Sequence, residues 1–344
     1  MGIQVGTYLG PQLWSVLDTG KDNDIITGIG GEGIEPDSPT LYGSGRIGIW
    51  NFATFNTDNG DDIITGIGRP SPRGSYGIIN QHNGVIDTGN DNDIITGIGG
   101  NIGIENSGFI DKQGTINTGT GDDIITAIGG NYGLFTSGTI NVGDGNDSIS
   151  SHGKFFNSGV VFLDNGNDSI IADAYLSNRA IENFNVIDTG DGNDAITSTG
   201  VIYNQGIINT GNGDDSIIVN GAFDVLTGKT YGIHNNGGAI ITGDGNDSII
   251  ANEGFESAPN SSGAWFLGEG EDYIKGYGSG DFYGGNGFDK LELTPGTYTV
   301  GIWDRVVFAK GNSLMLASEF EQLIAGNTTY DFTSLTAGQI IVVS

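Results

Sequence analysis

The chain has 344 residues and no cysteine, so no disulfide or thiolate metal site can hold it together. Glycine supplies 63 residues, about 18% against an average near 7%, and 42 acidic side chains against 12 basic ones leave a formal net charge of −30. This balance argues against a nucleic-acid binder, which needs clustered Lys and Arg. It suits a chain that gathers cations, because crowded carboxylates are tolerated only when counter-ions neutralise them.

The N-terminal stretch MGIQVGTYLGPQLW has no basic n-region or long apolar core and does not read as a Sec signal peptide. Its Met-Gly start raises N-myristoylation, but Gly6 stands where that motif has Ser or Thr. Residues 1–16 are predicted to cap a repeat array that begins at residue 17. No apolar run approaches the roughly 18 residues of a membrane span.

From 17 to 292 one phrase recurs, as DTGKDNDIITGIGG at 18–31, DTGNDNDIITGIGG at 87–100 and NTGTGDDIITAIGG at 117–130. Aligned on its second acidic position, the copies place Asp24, Asp62, Asp93, Asp123, Asp147, Asp168, Asp194, Asp215, Asp247, Asp272 and Asp289, spaced 17 to 38 residues apart. A constant phrase with a variable remainder is the mark of a solenoid with loop insertions. Two residues after each Asp stands an aliphatic side chain, from Ile26 to Ile274 and finally Leu291. Seven residues before it runs a second apolar column, from Leu17 to Ile240. Small residues four after the Asp (Gly28, Gly66, Gly97, Ala127) are in phase with the inward aliphatic under strand alternation. Each unit reads strand, acidic glycine turn, strand, with one face buried. The predicted fold is all-β: a right-handed parallel β-solenoid (β-roll or β-helix), coils about 4.8 Å apart, closed by a C-terminal β-rich cap.

A second column marks another corner. Asn51, Thr136, Asn157, Asn183 and Asn204 lie eleven residues before the Asp, Asn235 twelve, Asn80 thirteen and Asn106 seventeen. Stacked asparagines donate to and accept from one another, which completes a buried polar ladder. This column reads as structural. The arc returning from Asp to the next Asn carries the insertions, notably 31–47, 69–76 and 221–231.

Residues one and three after the Asp should face outward, giving Ile25/Thr27, Ile63/Thr65, Ile94/Thr96 and Ile124/Thr126 before Ser or Ala takes over. Such a stripe marks an interface for self-association, for an adhesion partner or for ice, unless an insertion covers it. His82, His152 and His234 form no spacing motif and read as surface or loop residues. Trp14, Trp50, Trp265 and Trp303 fall largely at the ends or in an insertion. Residues 293–344 alternate in polarity and are predicted to cap the open sheet edges.

The turns TGDGNDAIT (189–197), TGDGNDSII (242–250) and GGNGFDKLE (284–292) match G-G-x-G-x-D-x-U-x at the fourth glycine, the Asp and the aliphatic position. Over roughly 15–292 the chain resembles RTX, or haemolysin-type, calcium-binding β-roll proteins. The resemblance implies several Ca²⁺ ions held between coils by the turn aspartates and nearby carbonyls, a ligand chemistry that also suits Ca²⁺ on first principles. It adds Asp281 to the metal set, because LGEGEDYIK, GYGSGDFYG and GGNGFDKLE run in tandem. It also implies export by type I secretion through an uncleaved C-terminal signal, hence a secreted or cell-surface protein. The chain departs from the family in placing Asn at the second corner. Asp22 and Asp91 replace the fourth glycine, and Asp164 stands at the second.

The doubled acids Asp61/Asp62, Asp122/Asp123 and Asp214/Asp215 recur on successive coils, whereas a glycosidase needs two unlike carboxylates across one cleft. No nucleophile motif, phosphate loop or His-based triad accompanies them, so no catalytic residue is expected. The expected function is a calcium-folded structural, surface or adhesion protein. Its partner would be a cell surface, a polysaccharide or a second copy. The rival is an accessory or secretion module whose insertions bind a ligand or carry an activity.

Overall fold

The computed structural model describes residues 3–4, 17–30, 47–69, 74–108, 113–173, 178–257 and 263–344. Most of the 1–16 cap and of the 31–47 insertion, part of 69–76, and Trp14 lie outside them. The chain divides into two compact units, Met1–Ala180 and Ile181–Ser344. Both are built from long parallel sheets, as an all-β solenoid requires, and the described residues contain no α-helix, only a 3-10 turn at Phe332–Ser334. Among the described residues no helix is long and apolar enough to cross a membrane.

In the first unit the strand after each acidic turn pairs in register with its successors. Ile26 lies on Ile64, Ile64 on Ile95, Ile95 on Ile125 and Ile125 on Ile149. The opposite sheet stacks Phe55, Ile86, Ile116, Ile140 and Val161 in the same way. Both columns are buried and face each other as the core. The strand that leads to the second corner adds Ile78, Ile104, Leu134 and Phe155. Where it crosses the first strand there is little room for a side chain, and on the early coils none. A Cβ on Gly66 would meet the Ile78 Cγ1 at 2.5 Å, which explains the small residues there. In Ile124–Thr136 and Ser148–Asn157 the return arc is short and the two strands run on as one.

The second unit repeats the scheme through Ile196, Ile217, Ile249, Ile274 and Leu291. Its tail adds a further parallel layer. Ser313–Ser318 pairs with Gly280–Gly287, and Gln322–Ala325 with Lys290–Leu293. Antiparallel strands Gly296–Ile302, Val306–Lys310, Thr328–Asp331 and Ile340–Val343 complete the β-rich cap.

The asparagine corner forms as a buried ladder. Asn51 donates to the Asn80 Oδ1 (2.8 Å), Asn80 to Asn106 (2.9 Å), and Asn106 to the Thr136 hydroxyl (3.3 Å). In the second unit Asn183 donates to Asn204 (2.8 Å) and Asn204 to Asn235 (3.0 Å). The Asn204 amide also reaches the carbonyls of Gly206 and Ala239, both at 3.1 Å. Replacing Asn204 with Ala therefore strands buried partners on three segments and is expected to cost about 2–3 kcal/mol. Urea unfolding would read this as a lower midpoint with an unchanged m-value.

Candidate functional site

The acidic turn is shaped by backbone that few residues adopt. Four residues before the Asp the chain takes positive φ in every described turn. Gly119 (95°) and Gly243 (94°) do so at no steric cost, and Asp58 and Asp164 settle near 62°. Two residues before the Asp, glycines from Gly60 (133°) to Gly287 (149°) adopt a region closed to other residues. Asp91 replaces one of them at 83°, so the turn around Asp93 survives the loss of glycine. The aspartate side chains then turn inward.

Each turn aspartate is tied to the next coil. In the first unit the backbone N–H of Asp24 donates to the Asp62 Oδ1 (2.7 Å), Asp62 to Asp93 (2.8 Å), and Asp93 to Asp123, Asp123 to Asp147 and Asp147 to Asp168 (all 2.7 Å). The second unit runs Asp194 to Asp215, Asp247, Asp272 and Asp289 at 2.8–2.9 Å. Its last rung escaped sequence reading: the Asp289 N–H donates to the Glu321 Oε2 at 2.7 Å. Glu321 keeps the aliphatic two residues later, as buried Leu323. It lacks the glycines, which hid it.

Each accepting aspartate thus uses its Oδ1. The Oδ2 atoms of Asp24, Asp62, Asp93, Asp123 and Asp147, and of Asp215, Asp247, Asp272 and Asp289, are buried without a hydrogen-bond partner. The threonine hydroxyls beside them act on several of these carboxyls, but each has one hydrogen, and Thr57, Thr118 and Thr242 also reach the matching carbonyl of the next coil (3.3, 2.7 and 2.9 Å). Burial pushes the carboxyls of Asp62 and of seven others up, opposed in part by neighbouring threonine hydroxyls and by the N–H of the preceding Asp. Asp93, Asp147, Asp215 and Asp272 rise to about 7, and Asp123, Asp247 and Asp289 to about 6. Neighbouring carboxylates add to the rise.

A second, exposed ladder runs beside the first in the opposite sense. The Asp122 N–H donates to the Asn92 Oδ1 (2.7 Å), and the Asn146 N–H to the Asp122 Oδ1 (2.8 Å). Donation from Asn146 holds the Asp122 carboxyl below its usual value. The doubled acids therefore divide the work: the outer one stitches solvated backbone and the inner one is buried. They do not face each other across a cleft.

Asp281 stands apart from the row. It lies in the strand Gly280–Gly287, and its carboxylate is held by Arg305 at 2.8 Å. The residue that drops into the core there is Phe282, one place after it, stacked 4.3 Å from Trp265. His152 is a surface residue as expected, although on a strand, whereas His234 is neither on the surface nor in a loop. His152 pairs with Asp173 at 2.9 Å, and His234 is buried beside Tyr231. Trp265 likewise belongs to the core.

With this geometry in hand, the chain was compared with known families, curated proteins and solved structures. It matches none of them.

The donor set tests whether a hard cation suits this edge. Carboxylate and carbonyl oxygens are the right kind of ligand for Ca²⁺, and the buried Oδ2 atoms of Asp24, Asp62, Asp93, Asp123, Asp147, Asp215, Asp247, Asp272 and Asp289 are acceptors that a proton or a cation would satisfy. Among the described residues no three His, Cys, Asp or Glu side chains cluster so as to hold a metal. An ion here would therefore draw most ligands from the stacked turn carbonyls. Those of Asp24, Asp62 and Asp93 already accept the N–H of Ile63, Ile94 and Ile124 at 2.8 Å, which leaves each one lone pair. The residues fit the ion in kind.

Proposed function

We propose that this is a secreted, calcium-stabilised β-solenoid of the haemolysin-type kind, a rigid structural or adhesive surface protein whose aspartate rows take up Ca²⁺ between coils. The observation that carries the reading is the row of inward-turned aspartates, nine of which (Asp24, Asp62, Asp93, Asp123, Asp147, Asp215, Asp247, Asp272 and Asp289) bury an Oδ2 with no hydrogen-bond partner. Asp24, Asp62, Asp93, Asp123, Asp147 and Asp168 in one unit, and Asp194, Asp215, Asp247, Asp272 and Asp289 in the other, would supply the side-chain ligands, with turn carbonyls completing them. A bound cation supplies the positive charge that lets several ionised carboxylates stack one coil apart. The Asn ladder does the same stitching at the other corner with neutral groups.

Coupling of this kind makes ion binding part of folding. The charge of −30 keeps the chain loose where calcium is scarce and lets it wind up where calcium is plentiful, a logic suited to a protein folded outside the cell. Asp281, already neutralised by Arg305, is left out of the ligand set.

Calorimetric titration of chelator-stripped protein with Ca²⁺ tests the reading. The expected result is several ions per chain, with fewer bound by a D123N/D215N variant. Absence of binding, or an unchanged count in that variant, would sink it.

A further inference from the structure

The insertion at 221–231 is a β-hairpin, Ala222–Asp224 against Lys229–Tyr231, with Phe223 paired to Thr230. Its turn exposes Leu226 (73%) and Val225 (69%), and the strand before it exposes Phe223 (53%). Apolar side chains on a loose loop would fold back onto the protein, but this loop is fixed. Buried Asp224 accepts the Leu226 N–H (2.9 Å) and the Tyr231 hydroxyl (2.6 Å), and its carbonyl accepts the Gly228 N–H (2.8 Å). The Thr227 hydroxyl lies 2.6 Å from that of Tyr231. The other charge on the hairpin, Lys229, is paired with Glu256. Both charged groups are thus held by partners, and the tip presents Val225 and Leu226 beside exposed Thr227 and Gly228.

We propose that this tip inserts into the interfacial region of a lipid bilayer. Three side chains on a convex turn cannot supply the roughly 800 Å² per partner of a stable protein interface. A fluid interface closes around such a tip and needs no matching pocket. Charge selects the lipid. A chain of net charge −30 is repelled by an anionic surface, whereas matched charges on the hairpin leave nothing to hinder entry among zwitterionic headgroups.

Co-sedimentation with phosphatidylcholine vesicles tests this, comparing the wild type with V225D/L226D and with V342D, an exposed change away from the hairpin. The double variant alters only solvent-facing side chains, and an unchanged melting curve would verify its fold. The expected result is binding by the wild type and V342D, and about tenfold weaker partitioning by the double variant. Binding only to anionic vesicles, no binding at all, or equal binding by V225D/L226D would overturn the proposal. So would self-association, or capture of a protein partner, abolished by the same variant without lipid.

Discussion

Gly166→Ala is expected to destabilise the protein by about 3 kcal/mol or more, the sum of overpacking and backbone strain. Gly166 sits at φ 155°, and a Cβ there would lie 1.4 Å from the Gly145 carbonyl oxygen of the preceding coil. The two coils meet at that point through a Cα–H and a carbonyl, so any side chain forces them apart. The neighbouring rung would loosen too, because the Asp147 N–H reaches the Asp168 carboxylate only at this coil spacing. Gly20 provides the control. Its φ is 97°, but a Cβ would meet nothing within 4 Å, so Gly20→Ala should cost only the left-handed penalty of about 1–2 kcal/mol. Chemical denaturation of both variants distinguishes stacking from conformation. Equal losses would mean that coil contact is not what selects glycine.

The second large effect is on pH. Without divalent cations, stability is expected to fall as pH rises from about 4 to about 7, the reverse of ordinary acid denaturation. Burial pushes the carboxyls of Asp93, Asp147, Asp215 and Asp272 up to about 7 and those of Asp123, Asp247 and Asp289 to about 6, against 3.8 for an ordinary aspartate. Over that window the folded state keeps protons that the unfolded state has released, so protons stabilise the fold at the acid end. That contribution is lost as pH climbs through the folded values. A drop in melting temperature of more than about 5 °C across this range is expected, given the usual sensitivity of large domains. The slope should flatten in D123N/D215N, because each asparagine keeps an acceptor for the neighbouring N–H and removes one titrating group. Stability that rose over the same range would show the row ionised and satisfied by the protein alone.

Much of this architecture was legible in the sequence because strand alternation is rigid. An aliphatic two places after a turn Asp has to face the core, so Ile26, Ile64 and Ile95 identify their strands without help. The asparagine corner was legible for a different reason. Its partners sit at eleven, twelve, thirteen or seventeen residues from the Asp, yet each ends a strand of similar sequence, and the ladder restores the register that the insertions blur. Asp281 misled because its glycines and acid match the turn by letter. The phase does not match, since Phe282 is buried where a turn would bury the next residue but one. Glu321 was missed for the converse reason: it has the phase without the letters. Burial of the second carboxylate oxygen could not be read from sequence, because it depends on the coil-to-coil N–H bond that fixes how each side chain turns.

Calcium titration of chelator-stripped protein at neutral pH, followed by thermal melting, tests the central claim most directly. At about pH 7.5 the row carboxyls are ionised in the absence of metal, and their neutralisation by an ion that binds only the folded state must raise its stability. The account expects a melting temperature that climbs with calcium concentration, and a much smaller rise near pH 5, where protons already occupy the row. A fold fully stable in chelator at neutral pH, with a melting temperature indifferent to calcium, would contradict it.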